Sequence, residues 1–146
     1  MQEEITFELN GCDPSKLIDY FSHPKVLPQH FKFLTSIEVL DEVNYIAEFY
    51  VKLGFISIRF RFKQFMVRGI TTVYHEGVMD FPRAWWRFTL EITNYNDAIR
   101  TGECQVLLRG EYKGPLERFA HGPMREFLEN VRNSIMFEKE KIFAVT

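Results

Sequence analysis

No stretch of this 146-residue chain approaches the ~18 consecutive apolar residues that span a bilayer, so no integral membrane segment is read from it. The start, MQEEITFELNG, places two acids where a secretory signal requires a basic residue and an apolar run. Cysteine is scarce. Cys12 and Cys104 are far apart and match no metal or redox spacing, and they read as reduced thiols of a cytoplasmic protein. His23, His30, His75 and His121 fall in no HxH or HExxH pattern, so neither a metal site nor any other cofactor is expected. GxSxG, a phosphate-cradling glycine loop and carboxylates paired at catalytic spacing are also missing. Nor is there charge of one sign: eighteen basic against twenty acidic residues give −2, and nothing global draws the chain to a polyanion.

Aromatic side chains are what the sequence does have. Fifteen Phe, six Tyr and two Trp predict an interior of flat, rigid groups, which either line a pocket or fill a core. The length fits a single domain over 1–146. Residues 3–9 alternate Ile5, Phe7 and Leu9 with polar neighbours, as a half-buried strand does. Asp13-Pro14 starts a short helix carrying Leu17, Ile18, Tyr20 and Phe21, and PKVLPQHF follows as a second short helix or turn. From about residue 34 the period is two. It predicts strands near 35–41, 44–53, 56–67, 71–80, 84–95 and 103–112, with a loop over Asn94–Gly102. After Gly114-Pro115 a helical stripe runs from Leu116 through Phe119, Met124, Phe127, Val131 and Ile135 to Ile142, with a kink expected at Gly122-Pro123.

Consecutive strands on short turns make an antiparallel meander, and its apolar face needs the long last helix as cover. With FSHPKVLPQHF between the first two strands, GECQVLLRGEY as last strand and PLERFAHGPMREFLENVRNSI as terminal helix, the chain resembles the helix-grip superfamily. That group (SRPBCC) comprises START lipid-transfer domains, birch-pollen-allergen-type proteins and polyketide cyclases. The resemblance implies an α+β fold, a curved seven-stranded antiparallel sheet wrapped around a C-terminal helix, with two short helices between strands 1 and 2. It also implies a hydrophobic cavity for lipids, acyl chains or polyketide-like molecules.

The segment FISIRFRFKQF, 55–65, tests the alternative of an RNA-binding sheet. Ile56, Ile58, Phe60 and Phe62 share one face, and Ser57, Arg59, Arg61 and Lys63 share the other. Stacking on bases while neutralising phosphates needs both kinds on the same face. Strict alternation separates them, so the segment is a wall and no nucleic-acid partner is expected.

The ligand contacts expected from the sheet are Phe60, Phe62, Gln64, Tyr74, Trp86, Phe88, Leu108 and Tyr112; those from the helix are Phe119, Met124 and Phe127. Trp85 should face outward, opposite Trp86. Strand 71–80 leaves both registers open, one turning His75 inward and the other Tyr74 and Glu76. Either brings ionisable chemistry into apolar surroundings. The leading reading is a binding or carrier domain with no catalytic residue. Its rivals are a cyclase, aromatase or hydrolase using Tyr74, Glu76 or His75 with Tyr112 or Gln64, and a protein-interaction domain with a filled core. The sequence leaves oligomeric state open.

Overall fold

The computed structural model describes residues 1–144. Strand β1 (Gln2–Asn10) turns Ile5 and Leu9 into the core. Asp13 then caps helix α1 (Pro14–Phe21), its carboxylate accepting from the backbone N–H of Ser15 and Lys16 at 3.1 and 3.3 Å. Pro14 sits at the first helical position, where no donor is needed. The second short helix is a 3₁₀ segment, Pro24–Gln29, with Pro28 inside it. Six strands follow: β2 (Leu34–Val39), β3 (Asn44–Leu53), β4 (Ile56–Arg68), β5 (Thr72–Asp80), β6 (Arg83–Ile92) and β7 (Glu103–Lys113). Between β6 and β7, the segment expected as a loop contains helix α2 (Tyr95–Thr101), closed by Gly102 at φ 71°. Ala98 is its one buried residue, so no apolar stripe announced it.

The sheet order is β1-β7-β6-β5-β4-β3-β2, antiparallel throughout, as the helix-grip reading requires. First and last strands pair from Gln2↔Glu111 to Asn10↔Glu103. This pairing overturns the reading of the cysteines. Leu9 lies opposite Cys104, and the chain turns back after Asn10 so that Cys12 meets Cys104 in a disulfide with Cα atoms 5.9 Å apart. A sequence separation of 92 residues concealed a contact that strand pairing creates. The bond also removes the ground on which a reducing, cytoplasmic setting was inferred.

The C-terminal helix is shorter than the stripe suggested. A 3₁₀ turn (Glu117–Phe119) precedes α3 (His121–Phe137), and α4 (Lys139–Ile142) follows it. Gly122 and Pro123 mark no kink within a longer helix. They occupy the first turn of α3, where backbone N–H groups have no intrahelical acceptor and proline costs little. Phe119 is therefore not on the helix face but 54% exposed on the preceding turn, contrary to expectation. α3 buries Phe127, Leu128, Val131 and Ile135 and packs on β1, β7 and β3. Close approach to β7 depends on Gly110, where a Cβ would lie 2.2 Å from Met124 Sδ. No described helix is long and apolar enough to cross a membrane.

Candidate functional site

Where α3 begins, the helix and the sheet leave a cavity of about 90 Å³. Period-two alternation supplies its walls: Phe49, Val51 and Leu53 from β3, Phe60 and Phe62 from β4. Trp86 and Tyr112, register partners on β6 and β7, add the far side. Phe33 and, from the helix end, Ala120, Pro123, Met124 and Phe127 complete it. The deep members, such as Phe49, Phe62, Trp86 and Phe127, are buried. Val51, Leu53, Phe33, Ala120, Pro123 and Met124 are half-buried and mark the mouth, between the β3–β4 hairpin and the start of α3.

Nothing in this lining offers a hydrogen bond to an occupant. Tyr112 is the one residue with a polar side-chain atom besides Trp86, and its hydroxyl donates to the Pro115 carbonyl at 2.7 Å. Burial, with Glu117 nearby, pushes the phenol up to about 12, so it stays neutral. Beneath the cavity the aromatics pack against one another. Phe31 meets Phe127 and Phe88 edge-on at 4.8 and 4.9 Å, and Phe49 meets Trp86 at 5.1 Å. Small-molecule sites commonly measure ~300–1,000 Å³, so most of this interior is filled and the cavity is the remainder at one end.

Of the residues singled out from sequence, Phe60, Phe62, Trp86, Tyr112, Met124 and Phe127 lie on the cavity lining. Phe88 and Leu108 point inward but are completely buried beyond it. Tyr74 does not point inward at all. Strand β5 buries Val73, His75 and Gly77, and Tyr74 lies outside under the Arg87 guanidinium, 4.7 Å from its ring centroid. Glu76 shares that outer face and accepts from Arg87 Nε and Nη2 at 2.9 and 2.6 Å. Trp85 also faces out, 5.4 Å from Arg87. The sequence reading missed Phe33, Phe49, Val51, Leu53, Ala120 and Pro123. For β3 the same alternation that identified Phe60 and Phe62 was available.

Gln64 is inward and 3% exposed, yet it is used up by the protein. Trp86 Nε1–H donates to Gln64 Oε1, and Gln64 Nε2–H donates to the Tyr45 hydroxyl, both at 2.7 Å. The Tyr45 hydroxyl bonds His75 Nδ1 at 2.7 Å, and His75 Nε2 bonds the Phe21 carbonyl at 2.7 Å. A carbonyl only accepts, so Nε2 carries the proton, Nδ1 accepts from Tyr45, and every bond in the chain has one direction. Burial lowers the His75 pKa from 6.5 to about 4, against a smaller upward effect of the Phe21 bond. Gly77 makes room for this chain: a Cβ there would lie 2.7 Å from Trp86 Nε1 and 3.0 Å from Gln64 Oε1.

His30 is the centre of a second network. Its Nε2 and Nδ1 lie 2.7 Å from the Tyr20 hydroxyl and from Ser134 Oγ. Ser134 also donates to the Gln29 carbonyl at 3.3 Å. Burial and, secondarily, Lys141 hold His30 down at about 4. Neither Ser134 nor His30 lines the cavity, so their contact ties α3 to the 3₁₀ segment and faces no substrate space. Among the described residues no group of three or more His, Cys, Asp or Glu could hold a metal. On the outer face, Arg61 pairs with Glu48 and Arg109 with Glu4, mixing the two signs.

No protein-family model matches the chain, and no curated protein matches it in sequence. Solved structures do match its fold. A conserved protein from Geobacillus kaustophilus is 13% identical with a TM-score of 0.71, over 97% of this chain and 96% of that one. A START superfamily protein from Mycobacterium smegmatis is 10% identical with a TM-score of 0.64, over 97% and 98%. The Zhui aromatase/cyclase from Streptomyces sp. R1128 is 8% identical with a TM-score of 0.58, over 99% and 98%. What is shared at these identities is the START-type helix-grip fold.

Proposed function

We propose that this chain binds or carries a hydrophobic small molecule, such as a lipid, acyl chain or polyketide-like compound, in the cavity beneath the β3–β4 hairpin. The observation behind this reading is an apolar cavity with a half-buried mouth and no polar group aimed inside. Such a space rewards transfer of apolar surface from water and offers nothing that would recognise charge. A catalytic role for the same space finds less support. His75 and Gln64 are spent on each other's network, Glu76 and Tyr74 lie outside, and Tyr112 donates to backbone. A ligand larger than the cavity enters by displacing Met124, an unbranched side chain held over Gly110 by packing alone.

Tryptophan fluorescence tests the reading. Titration with fatty acids and polycyclic phenols should change Trp86 emission, since its indole lines the cavity. Trp86→Phe should remove most of the change, and Trp85→Phe should keep it. Ligand at ~100 times its dissociation constant should stabilise the fold by roughly 2.7 kcal/mol. Met124→Ala, which widens the cavity, should tighten binding of the bulkier ligands. No fluorescence or thermal response in either the wild type or Met124→Ala would favour an interaction domain with a filled core.

A further inference from the structure

The rim of this cavity carries exposed apolar side chains with basic residues beside them. At the tip of the β3–β4 hairpin, Phe55 is fully exposed and Ile56 is 51% exposed, immediately after the lining residue Leu53. Across the mouth, Phe119 is exposed immediately before the lining residue Ala120. β4 runs past the end of β5, since its last registered pair toward the tip is Lys63↔Val78, so the hairpin stands clear of its neighbour. The β5–β6 turn ends on the same side of the sheet and carries Phe81, 95% exposed.

Cations lie near Phe55, Ile56 and Phe119 in the chain, whereas Phe81 follows Asp80. Lys52 and Arg59 flank the hairpin tip, and residues 50–60 contain no acid. Arg118 lies over the Phe119 ring, 5.0 Å from its centroid, and Lys113 is the last residue of β7. None of these four cations has a carboxylate within 4.0 Å among the described residues. Glu117, the acid of this segment, faces the N-terminal ammonium at 3.4 Å. At the opposite end of the sheet acids and bases are paired instead, Asp19 with Arg68 and Asp97 with Arg100, and Asp13, Asp41 and Glu42 add further acids there.

We propose that this rim docks on an anionic bilayer surface, with Phe55, Ile56 and Phe119 inserted at headgroup level and Lys52, Arg59, Lys113 and Arg118 against the phosphates. Aromatic rings flanked by basic residues suit the water–hydrocarbon boundary, and cations without a carboxylate partner at this rim attract negative lipid. The docked pose points the cavity mouth at the acyl region, so an apolar ligand passes between bilayer and cavity without crossing water. This rests on the binding reading above but is separable from it. The same rim meeting a second copy of the chain would bury its rings against like charge, which the basic cluster disfavours.

Flotation with phosphatidylcholine vesicles, with and without phosphatidylglycerol, decides the matter. The wild type should float with the anionic vesicles, less so as salt rises, and should remain behind with neutral ones. Phe55→Ser with Phe119→Ser, and separately Lys52→Glu with Arg59→Glu and Arg118→Glu, should fall to the neutral-vesicle level. Ile70→Ser, exposed on the β4–β5 turn at the far end, should float as the wild type does. Failure of the wild type to float, equal loss in Ile70→Ser, or loss of a dimer in place of loss of flotation would overturn the docking surface. A soluble fluorescent fatty acid, titrated without vesicles, separates the two readings. Its binding to the wild type without flotation leaves the cavity reading standing alone, and flotation without its binding leaves only the docking surface.

Discussion

Acid should strip stability from this fold above the pH at which ordinary carboxylates protonate, and His75 sets the scale. Its ring is wholly buried, with Nδ1 accepting from Tyr45 and Nε2 donating to the Phe21 carbonyl. A second proton on Nδ1 would face the Tyr45 oxygen, which already receives the Gln64 amide, and would put a charge in apolar surroundings. The folded pKa of about 4 compares with 6.5 for a free histidine. Between those values the unfolded chain binds a proton that the folded chain refuses. Stability is therefore complete above pH 6.5 and declines as pH falls toward 4. At about 1.4 kcal/mol per pH unit the loss amounts to about 3 kcal/mol. Domains of this kind have about 5–15 kcal/mol in total. His30, also lowered to about 4, adds in the same direction.

Urea denaturation followed by circular dichroism at a series of pH values from 7 to 4.5 measures this slope directly. His75→Gln is the informative variant. Its amide can accept from Tyr45 and donate to Phe21 but does not titrate. Its slope between pH 6 and 4.5 should be shallower than the wild type's by up to about 1.4 kcal/mol per pH unit. Equal slopes in the two proteins would show that His75 titrates as it does unfolded, and the directional network would be wrong.

Two further substitutions probe the core. Phe127→Ala removes a ring that touches Phe31, Trp86 and Phe88, and should cost ~3–5 kcal/mol in chemical denaturation; a change under about 0.5 kcal/mol would mean α3 does not cover the sheet as described. Gly77→Ala drives a methyl into the Trp86–Gln64 bond and should destabilise by about 1–3 kcal/mol, with a shift in Trp86 emission. Unchanged emission in that variant would place the indole elsewhere.

The meander was legible because each strand carries its own record of which face is buried. Trp86, Phe88, Leu90 and Ile92 alternate cleanly, and the structure buries all four. Strand 71–80 carried no such record: His75, Gly77, Tyr74 and Glu76 gave neither face an apolar majority, and tertiary partners decided it. Tyr45 and Phe21 receive His75 inside, and Arg87 gathers Tyr74 and Glu76 outside. Helix periodicity overreached for a different reason. A stripe of apolar residues continues through Leu116 and Phe119 into α3, but Leu116 adopts φ 58° and the chain turns there. The disulfide is a contact between the two ends of the sheet's chain, visible only after β1 and β7 are paired.

The two ends of the sheet's interior are held by different forces, and this explains where the cavity lies. At the end closed by α1 and the 3₁₀ segment, the two histidines bond the Tyr20, Ser134 and Tyr45 hydroxyls and the Phe21 carbonyl. Moving any member leaves a buried polar group without its partner, at about 1–3 kcal/mol each. At the other end the contacts are between Phe, Met, Leu, Val and Pro side chains, and an apolar occupant replaces such contacts with equivalent ones. Displacing Met124 costs dispersion that a ligand returns, whereas displacing Tyr45 costs hydrogen bonds that an acyl chain does not return. Trp86 belongs to both regimes: its ring faces the cavity while its N–H is fixed by Gln64. On the proposed reading, the polar chain would thus anchor the floor of the cavity, and a ligand would be accommodated at the hairpin and the first turns of α3.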